Sequence, residues 1–308
     1  MYKALQETIA EMTAPGQMFS ISEVEVGGQT VKAWAMAPNS LRDIWLSTAG
    51  HADKDYLVYR DERWTYKQAH EEVARIANWL VANGIGQHDR VAIAMRNFPE
   101  WMLCYWAIAS IGAVSVGVNA WWVPEELKYG LKDSGTKLLI CDKERLARFD
   151  EVRDGFPDIK VVAVRVEDVP AWATPWSDVL KAEPVMPEVT IDPEHDACIF
   201  YTSGTTGSPK GAQLTHRGCV NNILSVVFGT MSQATAQAKS EGKAAPDLLS
   251  GGKTQPASIV ATPLFHVTAN NCLAQTATIG GGKLVHMHKW DAGEALRIIE
   301  EEKITIFS

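Results

Sequence analysis

Ten residues, Thr202-Ser203-Gly204-Thr205-Thr206-Gly207-Ser208-Pro209-Lys210-Gly211, concentrate glycines, hydroxyls and one ammonium. The glycines let the backbone turn tightly and bring N–H groups to an anion, while the hydroxyls and Lys210 add donors and charge. That donor set suits a polyphosphate. Two residues separate Gly204 from Gly207 and two more separate Gly207 from Lys210, so no Gly-Lys-Ser/Thr step exists and the pattern departs from the Walker loop. An apolar strand, Ala197 to Tyr201, precedes the loop, and a helix capped by Thr215 is predicted after it. A flexible linker would have similar composition and Lys210 could be a solvated surface lysine. The placement between a strand and a helix instead matches the position at which α/β proteins hold ligands.

A second candidate, Pro263-Leu264-Phe265-His266, follows a predicted strand from Ile259 to Thr262 and so falls at its carboxyl end. A lone histidine is more often structural than catalytic. His286 and His288 alternate on a strand without a third ligand at metal spacing, which favours strand surface over a metal site. Cys104, Cys141, Cys198 and Cys219 lie in apolar elements and read as inert core, whereas Cys272, near His266, could face a pocket.

The elements that must position these residues alternate in type from about Ser40, the mark of an α/β fold. Leu57–Tyr59 reads as a strand, and Thr65 opens a helix whose apolar residues Ala69, Val73, Ile76, Ala77 and Leu80 recur at helical spacing until Asn83-Gly84. A strand at Arg90–Met95, a helix from Pro99, a strand from Val114, a helix over Pro124–Leu131 and strands at Lys137–Cys141 and Val161–Val166 follow. The stretch Val169–Pro193 carries little periodicity and reads as a junction, and the polar tract Met231–Ser258 reads as a surface loop. Ala295–Glu302 reads as a helix, and Ile304–Phe307 as the start of a buried strand, an ending that suggests a truncated protein. The expected division is an N-terminal extension over 1–40, a first α/β subdomain over 41–190 and a second, incomplete one with the phosphate loop over 191–308.

A formal net charge of −8 argues against a nucleic-acid binder, and 46% hydrophobic against 21% charged residues excludes disorder. Five cysteines with no CxxC pair indicate neither a disulfide framework nor a zinc ribbon. The first twelve residues hold no apolar run, so no signal peptide is expected and the cytoplasm is the default location. No charge occurs between Glu100 and Glu125, but Gly112, Gly117, Asn119 and Pro124 make a poor membrane span, and a buried helix feeding a strand is expected instead.

Residues Tyr201 to Gly211 resemble the phosphate-binding signature of the adenylate-forming superfamily, which includes acyl-CoA synthetases, adenylation domains of peptide synthetases and beetle luciferases. Trp64-Thr65-Tyr66, Gly112-Ala113-Val114 through Asn119, Glu126-Leu127, Asp133-Ser134-Gly135, Pro263-Leu264-Phe265-His266 and Ile304-Thr305 resemble further family segments, in the family's order. The resemblance covers nearly the whole chain and is most similar to fatty-acid and other acyl-CoA ligases. It implies the N-terminal large domain of such an enzyme, with layered β-sheets flanked by helices, truncated at its C-terminus and lacking the small C-terminal domain.

What the resemblance implies for chemistry is ATP-dependent conversion of a carboxylic acid to an acyl-adenylate, then transfer to coenzyme A. A carboxylate is already a nucleophile, so positioning and charge stabilisation would dominate. Ser203, Gly204, Thr205, Thr206 and Gly207 would hold the phosphates with Thr202, and Lys210 would offset their charge. Thr202 would stand near the Mg2+ ion, and Phe265, His266 and Asn270 beside the acid. His266, where amino-acid-activating relatives carry Asp, favours an acid without an α-amino group, fatty or aryl-aliphatic. Trp101, Trp106, Trp121 and Trp122 could line an acyl tunnel, core packing being the simpler account. The missing part implies little catalysis by residues 1–308 alone. Transfer to an acceptor other than coenzyme A, a non-catalytic binding module and a homodimer all stay open.

Overall fold

Helix starts follow from capping chemistry that is local in sequence. In the computed structural model, which describes residues 2–202, 207–244 and 255–307, Thr65 accepts from the Gln68 N–H and the Gln68 side chain returns to the Thr65 N–H, closing a capping box. Pro99 and Pro124 occupy first helical turns, where their missing N–H groups cost nothing. In chain order the elements are α1 (Tyr2–Met12), β1 (Ile21–Val26), β2 (Gln29–Trp34), α2 (Leu41–Ser47), β3 (Asp55–Tyr59), β4 (Glu62–Thr65), α3 (Tyr66–Ala82) and β5 (Arg90–Ala94). Next come α4 (Pro99–Ser110), β6 (Val114–Gly117), α5 (Pro124–Ser134), β7 (Leu138–Asp142), α6 (Lys143–Asp150), β8 (Lys160–Val164), β9 (Thr174–Pro175) and α7 (Trp176–Val179). The chain continues through β10 (Asp196–Thr202), β11 (Lys210–Thr215), α8 (His216–Ser240), β12 (Ala257–Val260), a π-helical segment (Thr268–Ala274), α9 (Gln275–Ile279), β13 (Lys283–His286) and α10 (Ala292–Glu301).

Two larger sheets result. One has seven strands in the order β11-β10-β6-β5-β7-β8-β9, parallel except for β11. The other has four, in the order β12-β13-β3-β4, with only β4 antiparallel. Strands from both sides of the 190/191 boundary enter both sheets, so that boundary divides the chain but not the sheets. Helix α4 touches β5 and β6 of the larger sheet and β3 of the smaller, and all twelve of its residues are buried. The uncharged interval from Glu100 is thus core helix and strand. No described helix is long and apolar enough to cross a membrane.

Four expectations need correction. The tract from Met231 is not a loop at its start: α8 continues to Ser240, because Ala, Gln and Lys favour helix and no Gly or Pro intervenes until Gly242. Residues 245–254 of that tract lie outside the described residues. A short strand, β11, stands between the glycine-rich loop and α8, where a helix was expected directly; its largely exposed edge position left no alternation to read. His286 is buried rather than on a strand surface, at 2% exposure. Ile306 pairs with Ser258 along β12, yet Ile306 and Phe307 are exposed.

Burial pushes the His286 imidazole down to about 3, assisted by Arg165, and the His216 imidazole down to about 4. Both are therefore held neutral, and apart from an approach to the Asn97 backbone neither His286 nitrogen has a partner among the described residues. Below pH 6.5 the unfolded chain binds protons that the folded chain refuses, so stability falls as pH falls, by roughly 1.4 kcal/mol per pH unit for each such histidine. We expect urea unfolding to show this loss between pH 7 and pH 5, and His286→Leu to shrink it by about 2 kcal/mol. A pH-independent midpoint in the unsubstituted protein over that range would refute the account.

Candidate functional site

Strand β10 buries Ala197 through Tyr201 between β6 and β11 and delivers Thr202 to the exposed end of the sheet. Antiparallel pairing sets Lys210 directly opposite Thr202 and Gly211 opposite Tyr201. The glycine-rich loop is therefore the connection of a β-hairpin, and β11 rather than a helix N-terminus stands at its exit. Gly211 is required there, since a Cβ would come within 2.8 Å of Ile199 Cγ2. Gly207 has φ +151°, a conformation L side chains rarely adopt. Thr202 Oγ1 lies 3.3 Å from the Lys210 carbonyl, and the exposed Lys210 forms no ion pair among the described residues. Ser203, Gly204, Thr205 and Thr206 lie outside the described residues.

Beside β10, Gly117 ends β6 opposite Phe200. A Cβ on Gly117 would meet Phe200 Cδ1 at 2.9 Å, so this glycine makes room for the Phe200 ring, and the Phe265 carbonyl of the Pro263–His266 segment packs over the same position at ordinary contact distance, 3.5 Å. His266 is exposed, with its ring 4.9 Å from that of Phe265. Phe265 is buried and meets Trp121 edge-on at 5.1 Å. The structure thus brings Thr202, Lys210, Phe265 and His266 to one end of the fold. Asn270 differs: it is fully buried, its Oδ1 accepts from Trp101 Nε1 at 3.2 Å and its amide donates to Asn271. Cys272 is exposed, and the other four cysteines are buried.

The carboxyl ends of strands from both sheets enclose a cavity of about 580 Å³ lined by Arg96, Trp121, Glu144, Phe265, His288 and Trp290, among others. Arg96 follows β5, Trp121 follows β6 and His288 follows β13, so a crevice forms where parallel strands end. The Arg96 guanidinium lies 5.5 Å from the Trp121 ring and donates to the His288 carbonyl at 2.9 Å. Burial, then Arg96, lowers the His288 pKa. Trp101, Trp106 and Trp122 are core residues as expected, but Trp121 is 53% exposed on this cavity. Arg96 and Trp290 carry no signal in the sequence analysis, and Trp121 and His288 were read as core packing and strand surface, because strand ends from distant parts of the chain converge only in the tertiary fold. The signal that could have found them is their position just after predicted apolar strands.

One buried ion pair ties these strand ends together. Asp142 caps α6 through the Arg145 N–H, and both its oxygens accept from Arg145 Nη1 at 3.0 Å. Asp142 also accepts from the Arg96 N–H at 3.0 Å, while Arg145 Nε donates to the Ala120 carbonyl at 2.9 Å. Arg148 adds bonds to the Ala120 and Trp122 carbonyls. The ends of β5, β6 and β7 are thereby joined through two side chains that are 4% and 5% exposed.

Residues 45–308 match the family described as "AMP-binding enzyme". Among curated proteins the chain is 29% identical over 257 residues to 4-coumarate–CoA ligase 2 of Petroselinum crispum, covering 82% of this chain and 44% of that one. It is 31% identical over 242 residues to feruloyl-CoA synthase of an Amycolatopsis species, covering 79% and 42%. The chain therefore spans less than half the length of these relatives. In fold it is similar to the anthranilate CoA ligase AuaEII crystallised with anthranoyl-AMP, with TM-score 0.73, 22% identity and coverage of 87% of this chain and 49% of that one.

Removing Arg145 would leave the Asp142 carboxylate buried without its partner, so Arg145→Met is expected to cost about 3–5 kcal/mol. Urea unfolding checks this, and a loss below about 1 kcal/mol, the size typical of an exposed pair, would rule out a structural role for the tie.

Proposed function

We propose that this chain, which belongs to the AMP-binding enzyme family, carries the phosphate-binding and acid-binding part of an acid–CoA ligase. The proposed reaction is attack of a carboxylate on the α-phosphate of ATP, releasing pyrophosphate, followed by attack of the coenzyme A thiol on the acyl-adenylate, releasing AMP. The observation that carries the reading is the pairing of Lys210 with Thr202 across the β10–β11 hairpin, which sets two exposed residues, one with an ammonium that forms no ion pair among the described residues and one with a hydroxyl, at the two ends of a glycine-rich connection. That is the donor set a polyphosphate requires.

In this reading Lys210 balances charge that grows on the departing pyrophosphate, while Thr202 and residues 203–207 bind the phosphates. No group of three or more His, Cys, Asp and Glu is placed to hold a metal ion among the described residues. The exposed Thr202 hydroxyl at the end of β10 would be this segment's ligand to a Mg2+ ion bound with the triphosphate, which would supply charge neutralisation. His266 and Phe265 would flank the acid. The burial of Asn270, and its bond to Trp101, supports a supporting role for that residue behind the acid rather than contact with it.

The names of the curated relatives support coenzyme A as the acceptor and an aryl or aryl-aliphatic acid as one substrate class, with fatty acids kept as the other.

The test is acid-dependent pyrophosphate release from MgATP, scanned over hydroxycinnamic, benzoic and fatty acids, with coenzyme A added to detect the thioester. Lys210→Ala is expected to lower the rate about 10²–10³-fold, the usual cost of removing one preorganised transition-state donor. His266→Ala should act mainly on the KM for the acid. Pyrophosphate release that ignores the acid, or that survives Lys210→Ala unchanged, would defeat the proposal; an adenylate formed without a coenzyme A-dependent thioester would redirect its second step.

A further inference from the structure

Both ends of the phosphate loop are tied to one helix by tyrosine hydroxyls. At the entry, Tyr201 on β10 donates to Asp133 Oδ2 at 2.7 Å and lies 3.2 Å from the Gly130 carbonyl. At the exit, Tyr129 donates to the Pro209 carbonyl at 3.0 Å, one residue before Lys210. Tyr129, Gly130 and Asp133 all belong to α5, and residues 129 and 133 are one turn apart on the same face.

The helix is a firm anchor. Leu127 and Leu131 are buried, Glu126 accepts from the Val123 N–H at 3.0 Å at its start, and Gly135 closes its end in the left-handed conformation. A Cβ on Gly130 would fall 2.3 Å from Trp122 Cζ3, so the indole lies flush on the helix, and it meets the Tyr201 ring edge-on at 5.2 Å. The Tyr201 ring is part of the core, whereas Tyr129 is half-buried and its hydroxyl has no other hydrogen-bond partner among the described residues.

We propose that Tyr129 is a positioning residue for Lys210, its hydroxyl holding the Pro209 carbonyl so that the Lys210 ammonium is aimed at the bound polyphosphate; this rests on the reading of the loop given above. The proline ring already fixes φ at residue 209. A hydrogen bond to its carbonyl restrains the remaining soft dihedral, ψ, and with it the peptide plane leading into Lys210. Pairing with Thr202 restrains the other side. The flexible lysine stem then departs from a fixed backbone, and less conformational freedom is left to lose when it meets the phosphates.

The experiment compares the unsubstituted protein, Tyr129→Phe, Lys210→Ala and the double variant by 31P NMR titration with magnesium pyrophosphate into the millimolar range, alongside thermal unfolding. Tyr129→Phe keeps the ring and removes only the hydroxyl. It is expected to weaken pyrophosphate binding about 3–10-fold, the worth of one hydrogen bond, with little change in Tm. In the Lys210→Ala background it should add no further loss, because a residue that acts through Lys210 has nothing left to position. An equal loss in both backgrounds, or a loss that tracks a lowered Tm, overturns the proposal. Binding that weakens in Lys210→Ala but not in Tyr129→Phe also overturns it and leaves the loop assignment standing. If the unsubstituted protein binds pyrophosphate no better than Lys210→Ala, the loop assignment itself fails and this inference with it.

Discussion

Helix α4 has no face for solvent, and the rest of the molecule is arranged to satisfy that constraint. Its twelve residues include Trp101, Tyr105 and Trp106, all fully buried, and a helix apolar all round can be stable only if packed on every side. The seven-stranded sheet covers one side through β5 and β6, β3 of the smaller sheet another, and α2 and α3 the remainder. Each fully buried large side chain contributes on the order of 1.5–3 kcal/mol, so this helix is a main source of the attraction that holds the two sheets together.

Polar tips on that helix fix the packing to one arrangement. Trp106 donates to the Tyr56 hydroxyl at 2.8 Å, Trp101 to Asn270 at 3.2 Å, and Gln275 to the Tyr105 hydroxyl at 2.8 Å. Leaving any of these groups unpaired in the core would cost more than its bond contributes, so the network selects against slipped packings. Two of its partners, Asn270 and Gln275, lie on the π-helical segment and α9 that follow His266. The position of His266 is therefore set from the core outward, through residues that do not themselves reach the cavity.

The same logic governs the strand ends. The Asp142–Arg145 pair stabilises less than its geometry suggests, because both charges have left water. Its value lies in geometry: it joins three strand ends whose following residues, Arg96, Trp121 and Glu144, line the cavity. Parallel strands direct their carboxyl ends the same way, and two sheets packed across α4 place two such ends side by side.

Much of this was legible in the residues. Thr65 and Thr215 as caps, Pro99 and Pro124 as helix starts and the buried helix after Glu100 all follow from short-range chemistry, in which a side chain or a ring acts within four residues. The order of strands, the hairpin nature of the loop with β11 at its exit, the burial of His286 and Asn270, and the exposure of Trp121 did not follow. Each depends on which distant segment becomes a neighbour, and hydrophobic pattern reports that a residue is apolar without reporting what covers it. Lys210 could be named from sequence alone; that it stands opposite Thr202, with Tyr129 behind it, was decided by strand pairing and by the packing of α5.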